Sequence, residues 1–242
     1  NTSYDIIAGD WSSDVCSSDP LQAVTQKQVD GLILVGSVFN TICQGAEMEH
    51  LLRKMPVVLA NGTLALPDAY SVMVDDCRGV EMAVEHLVKT GRRDLYYIKD
   101  KSTDSAATKA KGFLSGMAGA GLDAEGHILE TGETLEDGIR AVQQLLADGI
   151  HPDGILCGED LTAAGVLKAL LRAGVRVPEE TAVVGYDNST YARLCEPELT
   201  SVDNKPEQVA LLCVQLLQSR IEHGEDYSSV TLQPELVQRQ SS

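Results

Sequence analysis

The 242 residues carry 19 Lys and Arg against 36 Asp and Glu, a formal charge of −17; so acidic a surface repels phosphate and excludes DNA binding by these residues on their own. At 43% apolar residues the chain can bury a core, yet no apolar run reaches the roughly 18 residues of a membrane span and no basic-then-apolar signal pattern opens it. Its six cysteines lack CxxC spacing and its five histidines are dispersed, which excludes a zinc site by pattern and favours reduced thiols in a cytoplasmic protein with no membrane partner.

In chain order, the first strand candidate is Ile6–Ala8, and a helix is expected to join it to the next, Leu32–Val35. Between them Trp11–Asp19 has four serines, two aspartates and no apolar spacing of three and four. Three readings stand for it: a natural loop, a cloning scar, or a sequence artefact overwriting a helix. Asp19-Pro20 followed by Leu21, Ala23 and Val24 restores a helix start. Further strands are expected at Val57–Ala60, Val72–Val74, Leu95–Ile98, His127–Glu130, Gly154–Cys157 and Ala182–Gly185, with helices over 43–54, 77–90, 104–120, 134–148, 160–173 and 205–222. Helix 77–90 sets Val80, Ala83, Val84, Leu87 and Val88 on one stripe and Arg78, Glu81, Glu85 and Lys89 on the other. Strand and helix taking turns predicts an α/β protein whose parallel sheets are covered on both faces.

No phosphate-binding glycine signature follows any of these strands. Gly116-Met117-Ala118-Gly119-Ala120-Gly121 resembles one loosely, but at a helix end, where it reads as a C-terminal stop. With no GxSxG elbow, HExxH or Cys–His pairing either, neither enzymatic activity nor a cofactor is expected.

Gly174-Val175-Arg176-Val177-Pro178-Glu179-Glu180-Thr181-Ala182-Val183-Val184-Gly185-Tyr186-Asp187-Asn188, followed by Pro197-Glu198-Leu199-Thr200-Ser201-Val202, resembles the effector-binding core of the lactose-repressor (LacI/GalR) family of transcription regulators. The resemblance continues in Val29–Leu34, Met55–Leu59, Val74-Asp75-Asp76 with Gly79 and Glu85–Val88, and Leu232–Arg239, and so covers nearly the whole chain. It implies two Rossmann-like lobes with parallel sheets and three crossovers, the periplasmic-binding-protein-like type I fold, with a small effector in the cleft between lobes. By position the crossovers fall near Asp75, Asn204 and Glu225, giving lobes 1–75 with 204–224 and 76–203 with 225–242. The family's helix-turn-helix headpiece is not found here, so DNA is expected as a partner only through a part outside these residues.

The resemblance also implies site residues. Asp187 matches a family effector-binding carboxylate and suits hydroxyl groups, against the alternative of a turn cap beside Asn188. Asn61 stands where many relatives carry Asp, with a turn role as the alternative, and Ser37 follows the strand Leu32–Val35. Phe39 offers a stacking face or, more simply, core packing. Lys109 replaces the family's effector-contacting arginine, three residues before Gly112-Phe113, and a lysine offers a point charge in place of a fork. Glu159 replaces an Asn, and Glu133 an aromatic that stacks on the ligand. Their plainer alternatives are a helix cap for Glu159 and solvated positions for Lys109 and Glu133. If all face one cleft, Lys109 is expected to offset Glu159, leaving surplus negative charge for the ligand.

The expected function is therefore the effector-sensing and dimerisation core of a bacterial regulator, binding a small sugar-like metabolite, with apolar residues Val209, Leu212, Cys213, Leu216 and Leu217 serving a homodimer interface or the monomer core. The runner-up is a transporter's periplasmic sugar-binding protein, which shares the architecture.

Overall fold

The computed structural model describes residues 29–43, 46–66, 68–224 and 228–242. The strand Ile6–Ala8 and the segment Trp11–Asp19 lie outside the described residues. Along the chain run β1 (Leu32–Val35), α1 (Phe39–Ile42), α2 (Ala46–Leu52), β2 (Val57–Ala60), β3 (Ala69–Val74) and α3 (Asp76–Lys89). There follow β4 (Leu95–Lys99), α4 (Asp104–Gly119), β5 (Ile128–Glu130), α5 (Leu135–Ala147), β6 (Gly154–Cys157), α6 (Asp160–Arg172) and β7 (Ala182–Tyr186). The chain closes with α7 (Thr190–Leu194), β8 (Thr200–Asp203), α8 (Pro206–His223), β9 (Val230–Leu232) and β10 (Glu235–Val237). The chain divides into two compact units, one running to Val74 with Glu207–Leu232, the other Asp75–Pro206 with Gln233–Ser242.

In the first unit the described strands pair in parallel in the order β1-β2-β3-β9. Both faces are covered, which is why β2 is apolar and buried at all four positions. Val58, Ala60, Tyr70 and Val72 pack with Val209, Cys213, Leu216 and Leu217 of α8, while Leu32, Phe39, Leu52, Val57 and Leu59 form a second cluster. The α8 stripe is thus monomer core rather than free interface, and Phe39 is a core residue. The expected helix 43–54 is replaced by the shorter α1 and α2. The third crossing was expected near Glu225, but β9 pairs with β3, Val72 opposite Val230 and Val74 opposite Leu232, so the chain stays with the first unit through Leu232.

The second unit holds a six-stranded sheet in the order β10-β8-β7-β6-β4-β5, parallel except for antiparallel β10 against β8. Three of its helices, α3, α4 and α5, begin at a residue whose side chain accepts a backbone amide of the first turn. Asp75 accepts from the amide of Arg78 at 2.9 Å, and Thr134 and Asp137 form a reciprocal capping box at the start of α5. Helix α3 buries Val80, Ala83, Val84 and Leu87, the stripe read from the sequence, and pairs Arg78 with Glu85 at 2.6 Å on its outer face. Helices α3 and α4 approach closely: a Cβ on Gly116 would lie 2.9 Å from Val84 Cβ, and one on Gly112 2.4 Å from the Cys77 carbonyl. Gly121, with φ of 69°, ends the helix as expected of a stop signal. Strands β8, β9 and β10 and helix α7 were not foreseen. Thr200-Ser201-Val202-Asp203 is too polar to read as a core strand, yet its first three residues are fully buried.

Candidate functional site

The parallel strands of the second unit all deliver their carboxyl ends to one edge of the sheet, the edge at which open α/β sheets bind ligands. The pairing Ile98 with Cys157 on β4 and β6, and Leu156 with Val184 on β6 and β7, fixes what stands there. Carried past the strand ends, that register aligns Asp100, Glu159 and Asp187 in one row across three adjacent strands. Like charges so placed repel across neighbouring strands, so the row needs partners.

Some partners are present. Lys101 pairs with Glu159 and lies 3.6 Å from Glu133, the residue contributed by the loop after β5. Burial pulls the Lys101 ammonium down, but Glu159, Glu133 and Asp100 together outweigh it and leave its pKa raised. Glu159 occupies the N-cap position of α6 without capping it; its side chain turns to Lys101 instead. The pairing expected between Lys109 and Glu159 is therefore not formed. Lys109 is buried, donates to the carbonyl of Gly158 at 2.8 Å and rests 3.8 Å from the centroid of the Tyr186 ring. Neither Lys109 nor Glu159 is a solvated surface group, whereas Glu133 is about half exposed.

Asp187 sits directly after β7 with φ of 95°, a left-handed conformation that Asp tolerates at some cost. Its carboxylate accepts from Asn204 Nδ2 at 2.7 Å, and its amide donates to Val202 at 2.8 Å. Burial pushes its pKa up to about 6, with Lys109 pulling down and Glu159 pushing up. Asp100 is 4% exposed, and burial, reinforced by Glu159 and opposed by Lys109, raises it likewise to about 6. No ion pair joins Asp100 or Asp187 to a cationic side chain among the described residues.

Two further carboxylates are structural. Asp160 is raised by burial but accepts from Ser201 Oγ at 2.7 Å and from the amide and hydroxyl of Ser189. Asp76 takes the Tyr186 hydroxyl at 2.7 Å and the Ser105 hydroxyl, which fixes the ring beneath Lys109. In the first unit, Ser37 is buried just past β1, and Asn61 follows β2 with φ of 54°, its amide donating to Val72 at 2.8 Å, a backbone setting that serves its turn alternative.

Four of the six expected site residues, Lys109, Glu133, Glu159 and Asp187, thus share one edge of the second sheet, while Ser37 and Asn61 stand past the strand ends of the first. Sequence reasoning missed Asp100, Lys101 and Asn204. The signal for the first two was available: Asp100-Lys101 follows the apolar run Leu95–Ile98 as Asp187 follows Ala182–Gly185. Asn204 carried none, because β8 is polar. Among the described residues no group of three or more His, Cys, Asp or Glu is arranged to hold a metal ion, and no helix is long and apolar enough to cross a membrane.

Residues 84–242 match a family described as periplasmic binding protein-like domain. Curated proteins similar to the chain include the HTH-type transcriptional repressor PurR of Salmonella newport, 30% identical over 98% of this chain and 71% of that protein. An HTH-type transcriptional regulator of Lachnoclostridium phytofermentans is 28% identical over 92% of this chain and 68% of its own length. Among solved structures, a LacI transcriptional regulator from a Rhodococcus species superposes with a TM-score of 0.81 at 28% identity, over 92% of this chain and 81% of that one. A complex of the transcriptional regulator CelR with cellobiose does so with a TM-score of 0.80 at 26% identity, over 93% of this chain and 69% of that one.

Proposed function

The chain belongs to the LacI family of transcriptional regulators through its periplasmic-binding-protein-like core, and we propose that these residues sense a small polyhydroxylated metabolite at the carboxyl edge of the second sheet. The observation that carries this reading is the convergence of Asp187, Glu159, Lys101 and Lys109 at the ends of adjacent parallel strands, where a ligand of an open sheet is expected. Carboxylates there accept hydroxyl hydrogens in pairs, the chemistry a sugar presents. The structure of CelR, similar in fold and sequence, is a complex with cellobiose. Ser37 and Asn61 are the first unit's ligand contacts in this reading. Occupancy controls DNA binding by a helix-turn-helix part of the kind for which the relatives are named, in a cytoplasmic homodimer without enzymatic activity. The names of the relatives favour a regulator over a transporter's sugar-binding protein.

Thermal unfolding in the presence of mono- and disaccharides tests the reading. A ligand at a hundred times its dissociation constant stabilises the fold by about 2.7 kcal/mol. Asp187→Ala, and Asp187→Asn, which tolerates the left-handed backbone better, should abolish that shift. A shift that survives both substitutions contradicts the assignment, and light scattering at micromolar concentration reads the dimer.

A further inference from the structure

The loop that leaves β7 sets two consecutive non-glycine residues in left-handed backbone, Asp187 with φ of 95° and Asn188 with φ of 50°. Such a pair is strained and persists only where its surroundings hold it. Asn188 is held on three sides. Its amide donates to Ser201 Oγ at 2.9 Å, its Nδ2 donates to Asp203 Oδ2 at 3.4 Å, and its Oδ1 accepts from Arg239 Nη2 at 2.5 Å. Ser189, next in the loop, gives both its amide and its hydroxyl to Asp160, which also takes the Ser201 hydroxyl. Burial raises the Asp160 carboxyl, while those hydrogen bonds and then the charge of Arg239 oppose it.

Arg239 comes from the segment that follows β10, and its side chain is 11% exposed. Its amide donates to Thr200 Oγ1 at 2.9 Å and its Nη1 to the Leu199 carbonyl at 2.6 Å, so the residue is anchored at the start of β8. Ser241 fastens the same segment: its hydroxyl donates to the Val183 carbonyl at 2.6 Å and accepts the Thr200 amide at 2.9 Å, and its carbonyl takes the Val183 amide at 2.8 Å. Those bonds lie near the amino ends of β7 and β8. The bond from Arg239 Nη2 reaches the loop at the carboxyl end of β7 instead. A planar guanidinium can hold the Leu199 carbonyl and the Asn188 side chain in one fixed fork.

We propose that Arg239 is a positioning residue of the effector site: its fork ties Asn188 to the start of β8 and, through Asn188, keeps the Asp187 carboxylate at the sheet edge where the ligand is read. The inference rests on the effector-core reading above and adds to it a residue that touches no ligand itself. Lysine at this position keeps a positive charge near Asp160, but its point charge cannot reproduce the fork. Without the tether Asn188 and Asp187 leave the left-handed region. The Asp187 carboxyl, held at about 6 chiefly by burial, then moves toward water and titrates lower.

Carbon-13 NMR titration of the Asp187 carboxyl in the ligand-free full chain tests this without knowledge of the effector. In Arg239→Lys the midpoint is expected to fall by about one unit. In Ser241→Ala, which loses the bonds to Val183 and Thr200 but leaves the fork in place, it should not move. Asn188→Ala removes the same tether from its other end and should lower the midpoint as Arg239→Lys does, with no further fall when the two are combined. Calorimetric titration with glucose, galactose, ribose and cellobiose gives the second readout. Whichever of these the parent binds should bind roughly tenfold more weakly to Arg239→Lys and with unchanged affinity to Ser241→Ala, although denaturant titration shows both variants destabilised. An unmoved Asp187 midpoint in Arg239→Lys, or an equal fall in Ser241→Ala, overturns the proposal. Where Arg239→Lys does not fold, the midpoint in Asn188→Ala decides in the same way. If none of the four sugars binds the parent, the sugar-effector reading fails, and the Asp187 titration still decides the role of Arg239.

Discussion

Asp100 is a carboxyl group placed where water cannot reach most of it, and its pKa states the consequence. An Asp whose folded pKa is raised from 3.8 to about 6 holds its proton more tightly folded than unfolded. The folded state is then best favoured below about pH 4 and loses that advantage as pH climbs through 6. At about 1.4 kcal/mol per pH unit the loss is on the order of 1–3 kcal/mol. Asp100→Asn removes the ionisation, so the stability of this variant relative to the parent should grow between pH 4 and pH 7, as read by denaturant titration at each pH. A difference that stays flat with pH would contradict the burial argument. Asp187 is likewise a buried carboxyl and adds a left-handed backbone; Asn204 donates to it, and no cationic side chain among the described residues forms an ion pair with it. Buried charge and left-handed backbone of this kind cluster at functional sites.

At the scale of elements, the second unit depends on how closely α3 and α4 meet. Gly112 faces the Cys77 carbonyl, a backbone atom that cannot swing aside, whereas Gly119 near the end of the same helix has open space where a Cβ would go. Gly112→Ala should therefore destabilise the fold by roughly 1–3 kcal/mol, while Gly119→Ala should stabilise it by roughly 0.5–1 kcal/mol through helix propensity alone. Equal effects at the two positions would mean that the helices do not pack as described. The amphipathic stripe of α3 and the buried runs of β2, β6 and β7 were legible in the sequence because their periodicity comes from burial, which selects apolar side chains. Strand β8 was not, because Thr200, Ser201 and Asp203 are in the sheet for their hydrogen bonds: Ser201 donates to Asp160, and Thr200 accepts from Arg239. Similarly, the family pattern pointed to Lys109, Glu159 and Asp187, which the structure sets at one sheet edge, but not to the partnership of Lys101 with Glu159, since a residue just past a strand end has no periodicity to betray its direction.

For the whole molecule, two α/β units built from discontinuous stretches of one chain carry a formal charge of −17, and the second unit concentrates a row of acidic groups at its sheet edge. In the proposed function, this edge is where the metabolite binds. The most direct test is amide hydrogen exchange of the full chain with and without a saturating concentration of whichever sugar or amino sugar stabilises it most. Protection is predicted to concentrate in residues 99–101, 158–160 and 186–189, the three segments that leave adjacent strands of the second sheet. Protection confined to other segments, with those three unchanged, would contradict binding at this edge.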